Sequence, residues 1–262
     1  MIINSKRKVI FYNVPRTGTL SMATAARNAR QHANVPLDYV TEGHTSYEQM
    51  RTLIQTSDEW GMDLNQLYGL NVNRITRSGY EYNKPRVITS VEDLDSYEQY
   101  AFVRHPFERA KSAINLLRRG RLHGVLLQVH YGHKFIGRVS CADRDDDYDN
   151  FPQWKKDAIN SIPYIQAFRH LKWWFEKGNL KKGHMGYLDG PVQPLMFDNF
   201  SNEARRVMGR LGIPANIELP HENGAKYIEE FDYLSPSQEQ EIKDYFAADY
   251  EYLDSKGIHF NK

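Results

Sequence analysis

The sequence predicts an α/β protein, a central parallel sheet flanked by helices in one domain spanning residues 1–262. Two strand–loop–helix units carry that prediction. In the first, Val9-Ile10-Phe11-Tyr12-Asn13-Val14 is a near-continuous apolar run, the pattern of a strand buried on both faces. Pro15 and Gly18 break it, and Met22, Ala25, Ala26 and Ala29 then recur at the spacing of a helical stripe. In the second, Tyr100-Ala101-Phe102-Val103 reads as a short buried strand, and Pro106 suits the first turn of a helix. Ala110, Ala113, Ile114 and Leu117 supply that helix's core stripe. Strands alternating with helices imply a parallel sheet with ligands at the carboxyl ends of its strands.

The remaining elements are read more coarsely. Val40 and Val87-Ile88 mark weaker strands, and Tyr47–Ile54 a helix. Residues 121–150 form an irregular insertion, a candidate region for acceptor specificity. Within it lie Asp143, Asp145, Asp146, Asp147 and Asp149. A calcium loop starting at Asp143 needs glycine and glutamate where Tyr148 and Trp154 stand, so this reads as a solvated loop. Trp154, Ile159, Ile165, Phe168, Trp173 and Trp174 follow as core-packing residues of a helical stretch. Asp198 to Leu211 and Ser235 to Phe246 read as two further helices, the second started by Ser235-Pro236 with Glu239 nearby.

Composition narrows the function classes. Of 262 residues, 40% are hydrophobic, enough for one large core. The 34 Lys and Arg nearly balance 33 Asp and Glu, so no global field points to nucleic acid or to a membrane surface. Any anion site must be local. Apolar runs fall far short of the roughly 18 residues that span a bilayer. Basic Lys6, Arg7 and Lys8 near the N-terminus have no apolar signal segment behind them. Cys141 stands alone, which excludes an internal disulfide and fits a reducing compartment. Asn199-Phe200-Ser201 matches a glycosylation sequon without a secretory context. The expectation is a cytoplasmic protein.

Two motifs point to chemistry. Val14-Pro15-Arg16-Thr17-Gly18-Thr19-Leu20-Ser21 joins the first strand to its helix. A glycine turn opening a helix directs free backbone N–H groups outward, where the helix dipole favours an anion. Arg16 adds charge, and Thr17, Thr19 and Ser21 add hydroxyls; an ordinary turn capped by Thr19 or Ser21 is the alternative. No Walker A loop and no Gly-x-Gly pair occurs. The second motif is Val103-Arg104-His105-Pro106-Phe107-Glu108-Arg109-Ala110-Lys111-Ser112-Ala113. Arg104 falls where a buried strand emerges, and Arg109 and Ser112 share a face of the following helix. An arginine at a strand tip and a hydroxyl on the next helix can grip a phosphate from two sides. The alternative pairs Arg104 and Arg109 with local acids such as Glu108.

Taken together, the motifs resemble the sulfotransferases that use 3′-phosphoadenosine 5′-phosphosulfate (PAPS), most closely the carbohydrate branch called sulfotransferase family 2. That family opens with a strand and a Pro-Lys-Thr-Gly-type loop holding the 5′-phosphosulfate. It later carries Val-Arg-Asp-Pro-Phe-x-Arg-x-x-Ser-Ala, whose first Arg and whose Ser hold the 3′-phosphate. Pro15-Arg16-Thr17-Gly18 and Val103-Arg104-His105-Pro106-Phe107 to Ser112-Ala113 match in order and context. Phe197-Asp198-Asn199-Phe200, Leu211-Gly212-Ile213 and Leu219-Pro220-His221-Glu222-Asn223 are similar too. The likeness runs from about residue 8 to 253. It implies a P-loop-like nucleotide-binding fold, with PAPS as co-substrate and PAP as product. It further implies no metal, and a carbohydrate or other hydroxyl acceptor. It assigns Arg16, Thr17, Gly18, Thr19, Leu20 and Ser21 to the phosphosulfate, Arg104 and Ser112 to the 3′-phosphate, and Lys226 to the nucleotide. Three departures stand out: Arg16 replaces the family's Lys on the leaving phosphate, Leu20 a hydroxyl residue, and His105 an Asp.

The resemblance also singles out Glu42-Gly43-His44, since enzymes of this type carry a Gly-His element after the corresponding strand. It makes His44 the general base, a role imidazole suits near neutral pH. By composition alone, His44 reads equally as a surface or N-capping residue ahead of the next helix. His130 and His133 form a His-x-x-His with nothing to complete a zinc site. His184 has no evident role in the sequence. Two other classes remain open: a phosphotransferase, which lacks its Walker lysine here, and a module that binds PAP without turnover.

Overall fold

The structure, a computed structural model, describes residues 1–40, 45–60, 88–116, 153, 164–166, 168–169, 172, 183–220 and 234–260. In chain order its elements begin with strand β1 (Ile2–Asn4), strand β2 (Val9–Tyr12), helix α1 (Thr19–His32) and strand β3 (Tyr39–Val40). Helix α2 (Tyr47–Trp60), helix α3 (Val91–Asp95), strand β4 (Glu98–Val103) and helix α4 (Pro106–Leu116) follow. Strand β5 (Val192–Met196), a 3-10 turn (Phe197–Asn199) and helices α5 (Phe200–Arg210), α6 (Pro236–Tyr245) and α7 (Ala247–Ser255) complete the list. They divide between two units: residues 1–104 with 184–224, and residues 105–183 with 225–262.

The first unit is α/β, a mixed sheet of five strands in the order β3-β1-β2-β4-β5. Strands β2 and β4 are parallel, as expected, and β5 pairs parallel to β4. β1 runs antiparallel to both of its neighbours, so the wholly parallel sheet is corrected to a mixed one. Connection length is the reason. Only residues 5–8 join β1 to β2, whereas a parallel pair needs a crossover of about a dozen residues or more. Lys8 takes a left-handed φ of 52°, and its N–H donates to the Ser5 carbonyl at 3.1 Å. Asn4 closes the turn, accepting the Arg7 N–H on Oδ1 at 3.1 Å.

β1 lies between β3 and β2 in the sheet. Ile2 stands opposite both Phe11 and Val40, so β3 and β2 point the same way one strand apart. The carboxyl ends of β3, β2, β4 and β5 therefore share one edge of the sheet. β5 has no counterpart in the sequence reading. Its Pro194 has no N–H for a further partner, which suits the outermost strand of the described sheet.

Both faces of the central strands are buried, Ile10, Tyr12, Ala101 and Val103 on one of them, and the largest core cluster lies on the other. Met22, Ala25, Ala26 and Ala29 of α1 and Ala204, Val207 and Met208 of α5 pack with Phe11, Tyr100, Phe102 and Leu195. The alanines of α1 are small enough for its backbone to approach the strands closely. Ile88 is buried outside any strand, while Val87 lies outside the described residues.

In the second unit, Ala110, Ala113 and Ile114 of α4 join Ile165, Phe168, Ile242, Phe246 and Tyr250 in a separate cluster. Leu117, Trp154, Ile159, Trp173, Trp174 and the whole 121–150 insertion lie outside the described residues. α6 begins as expected at Ser235-Pro236, but its capping box closes through Gln238, not Glu239. The helix expected from Asp198 starts as the 3-10 turn and becomes α-helical at Phe200.

Candidate functional site

The site begins where β2 stops hydrogen bonding and the chain must turn into α1. Two residues take left-handed backbone there, Arg16 at φ 66° and Gly18 at φ 74°. Gly18 is the N-cap of α1; no side chain caps the helix, and its first turn carries no acid. The amide end of α1 thus keeps its positive potential for an outside anion. Glycine is required at 18 for a second reason. A Cβ there would run into the ring of Phe200, far inside contact distance.

Phe200 belongs to an aromatic group that supports this edge. Its ring lies 4.9 Å from that of Phe102 and 5.3 Å from that of Phe197, and Phe102 meets Phe11 edge-on at 5.6 Å. Phe197 and Phe200 come from the Phe-Asp-Asn-Phe element already singled out in the sequence, and the fold gives them a physical task. Phe200 sits against the glycine of the loop.

Arg104 stands one residue past β4 on the same edge, where several contacts hold it. One guanidinium nitrogen donates to the Arg16 carbonyl at 3.2 Å. The guanidinium lies 4.7 Å from the Phe197 ring centroid, a cation–π arrangement. Its backbone N–H donates to Nε2 of His184 at 3.2 Å. The first-unit residues of the two motifs therefore meet, and the left-handed backbone at Arg16 brings its carbonyl and Arg104 into contact.

Several expected roles are redistributed. Thr17 is fully buried and its hydroxyl donates to the Val14 carbonyl at 2.9 Å. It staples the loop, so its hydroxyl is committed within the protein. Thr19 and Ser21 are buried, while Leu20 is partly exposed. The helix after His44 is capped by Ser46, whose Oγ accepts the Gln49 N–H at 3.2 Å while Gln49 Oε1 accepts the Ser46 N–H at 2.9 Å. That capping box corrects the alternative in which His44 caps the helix. His44, Glu42 and Lys226 lie outside the described residues.

In the second unit, Ser112 is half-buried on α4. Arg109 does not pair with Glu108, which binds Lys111 at 3.0 Å. Its guanidinium is fully buried 3.2 Å from Asp249 and 5.5 Å from the Phe246 ring centroid. His105 caps α4: its Nδ1 accepts the Phe107 N–H at 3.2 Å, and its carbonyl accepts the Arg109 N–H at 2.8 Å. An aspartate at this position would cap in the same way, so the departure at His105 preserves a structural function. The same Phe107 N–H lies 3.2 Å from the Tyr250 hydroxyl, which burial pushes up to a pKa of about 12.

Among the described residues no three His, Cys, Asp or Glu side chains gather as a metal site, and no helix is long and apolar enough to cross a membrane. Comparison with protein-family models, with curated proteins and with solved structures gives no match. The sequence reading missed His184 and the stacking of Arg104 on Phe197. An aromatic right after a strand end was a usable signal for the second; a lone histidine before Gly186 was none for the first.

Proposed function

We propose that the chain is a sulfotransferase that moves the sulfuryl group of PAPS to a hydroxyl of a carbohydrate acceptor and releases PAP. One observation carries the proposal. Arg16 and Arg104, 88 residues apart in sequence, meet at the uncapped N-terminus of α1. A guanidinium held at the loop backbone and a helix amide end suit a ligand with several anionic groups at fixed separation, which a nucleotide with both 3′- and 5′-charges supplies.

In this reading the acceptor oxygen attacks sulfur in line and its proton passes to His44. The bond from sulfur to the 5′-phosphate oxygen breaks, and that oxygen keeps the electron pair. Arg16 and the backbone N–H groups of residues 17–21 stabilise the charge that develops there. Arg104 holds the 3′-phosphate, and Ser112 and Lys226 carry the family's assignments without a geometric argument. The commitment of the Thr17 hydroxyl to Val14 favours a second reading, a PAP-binding module without turnover, because it leaves the loop one hydroxyl donor fewer.

Transfer from [35S]-PAPS to a panel of glycans, beside calorimetry with PAP, separates these readings. The proposal expects PAP binding and label transfer that falls about 10²–10⁴-fold in His44→Ala. PAP binding with no transfer to any hydroxyl acceptor would leave the binding module. No affinity for PAP would reject both.

A further inference from the structure

We propose that His184 is a positioning residue that sets the preference for a 3′-phosphate by fixing the backbone of Arg104, a proposal that rests on the nucleotide reading above. His184 is fully buried, and the Arg104 N–H points its hydrogen at Nε2, 3.2 Å away. To accept there, the ring must be neutral and carry its proton on Nδ1. Arg104 is the first residue beyond β4, and the imidazole accepts its N–H where the strand ends. A guanidinium at the end of a long side chain amplifies any rotation of its own backbone. Locking that backbone is what lets the side chain reach the Arg16 carbonyl and the Phe197 face together.

The segment that carries His184 is itself anchored. The His184 carbonyl accepts the Tyr187 N–H at 3.0 Å, and the Gly186 carbonyl accepts the Glu48 N–H of α2 at 3.1 Å. Gly186 and Gly190 take φ of 80° and 67°, and a Cβ at Gly190 would collide with the Tyr47 ring. Tyr47 is tied in turn to Asp95 at 2.8 Å. The 184–190 turn therefore fastens Arg104 to the start of α2, the helix that opens three residues after the position of His44.

The test compares PAP with AMP, which differ by the 3′-phosphate that Arg104 is proposed to bind. His184→Phe keeps ring bulk and loses the acceptor; His184→Gln carries an amide oxygen near the place of Nε2. His184→Asn stays polar but is too short, and it stands in where the Phe variant does not fold. The expected result is a PAP-over-AMP preference reduced about five- to tenfold in the Phe and Asn variants, with AMP affinity unchanged and the Gln variant close to wild type. In an Arg104→Ala background, the His184 substitutions should change the preference no further. A merely structural role would lower stability and weaken both nucleotides alike. Full preference in folded Phe or Asn variants overturns the role of His184 while leaving the nucleotide reading intact. A wild-type protein that binds PAP no better than AMP overturns both.

Discussion

Arg104 and Arg109 stand five positions apart in one motif, yet the fold treats them in opposite ways. Arg104 sits half-exposed at the sheet edge, its charge shared with a backbone carbonyl and an aromatic face. Arg109 is withdrawn completely and neutralised by Asp249, to which Gly183 also lies so close that a Cβ would not fit. Chain position explains the difference. The first arginine follows the last ladder residue of a strand, where backbone ends and ligands begin. The second lies on the first turn of a helix whose inner face is core. A basic motif thus delivers one arginine suited to an anion and one that organises the second unit.

The contrast breaks most visibly at Asp249. Asp249→Ala leaves a buried guanidinium without its carboxylate, a change worth about 3–5 kcal/mol of stability. Arg104→Ala, by comparison, should leave thermal unfolding nearly unchanged. Equal melting shifts in the two variants would erase the distinction. Replacing Arg109 and Asp249 together by apolar residues of similar size should recover much of the loss.

Next in size is Gly18→Ala, which forces a Cβ onto a left-handed residue and into Phe200. The backbone term costs about 1–2 kcal/mol and the overpacking about 1–3 kcal/mol more. Denaturant unfolding should show the loss, and adding Phe200→Leu should relieve part of it. If Gly18→Ala unfolds like wild type, the close approach of that ring to the loop is not real.

A small stability effect is expected at Arg16, whose left-handed backbone glycine would adopt freely. Arg16→Gly should alter stability by about 1 kcal/mol or less, relief of strain offsetting added chain entropy. Turnover should nevertheless fall far more than PAP affinity, the signature of a group that acts on the leaving phosphate. Arg16→Lys should retain or raise activity. Equal loss in the Lys and Gly variants would remove Arg16 from that role.

Much of the first unit was legible because its signals are local. The run from Val9, the Met22–Ala29 stripe, the Tyr100–Val103 strand and Pro106 each announce an element through a few neighbouring residues. β1 was not legible, since Ile2-Ile3 is too short to read as a strand without the turn at Lys8 that folds it back. β5 was masked by its own Pro194, tolerated only because the strand is outermost in the described sheet. The loop and Arg104 could be named as candidate anion ligands from residue type and position. The carbonyl contact that joins them depends on the φ of Arg16, which a non-glycine residue does not advertise. The burial of Arg109 depends on a partner 140 positions away, and no local pattern encodes it.

The central claim is that Arg104 reads a 3′-phosphate at the uncapped end of α1, and calorimetry of PAP and AMP on wild type and Arg104→Ala tests it most directly. The account predicts that wild type binds PAP much more tightly than AMP. Arg104→Ala should lose roughly 1.5–3 kcal/mol for PAP and almost nothing for AMP. Unchanged PAP affinity in a folded Arg104→Ala protein would contradict it.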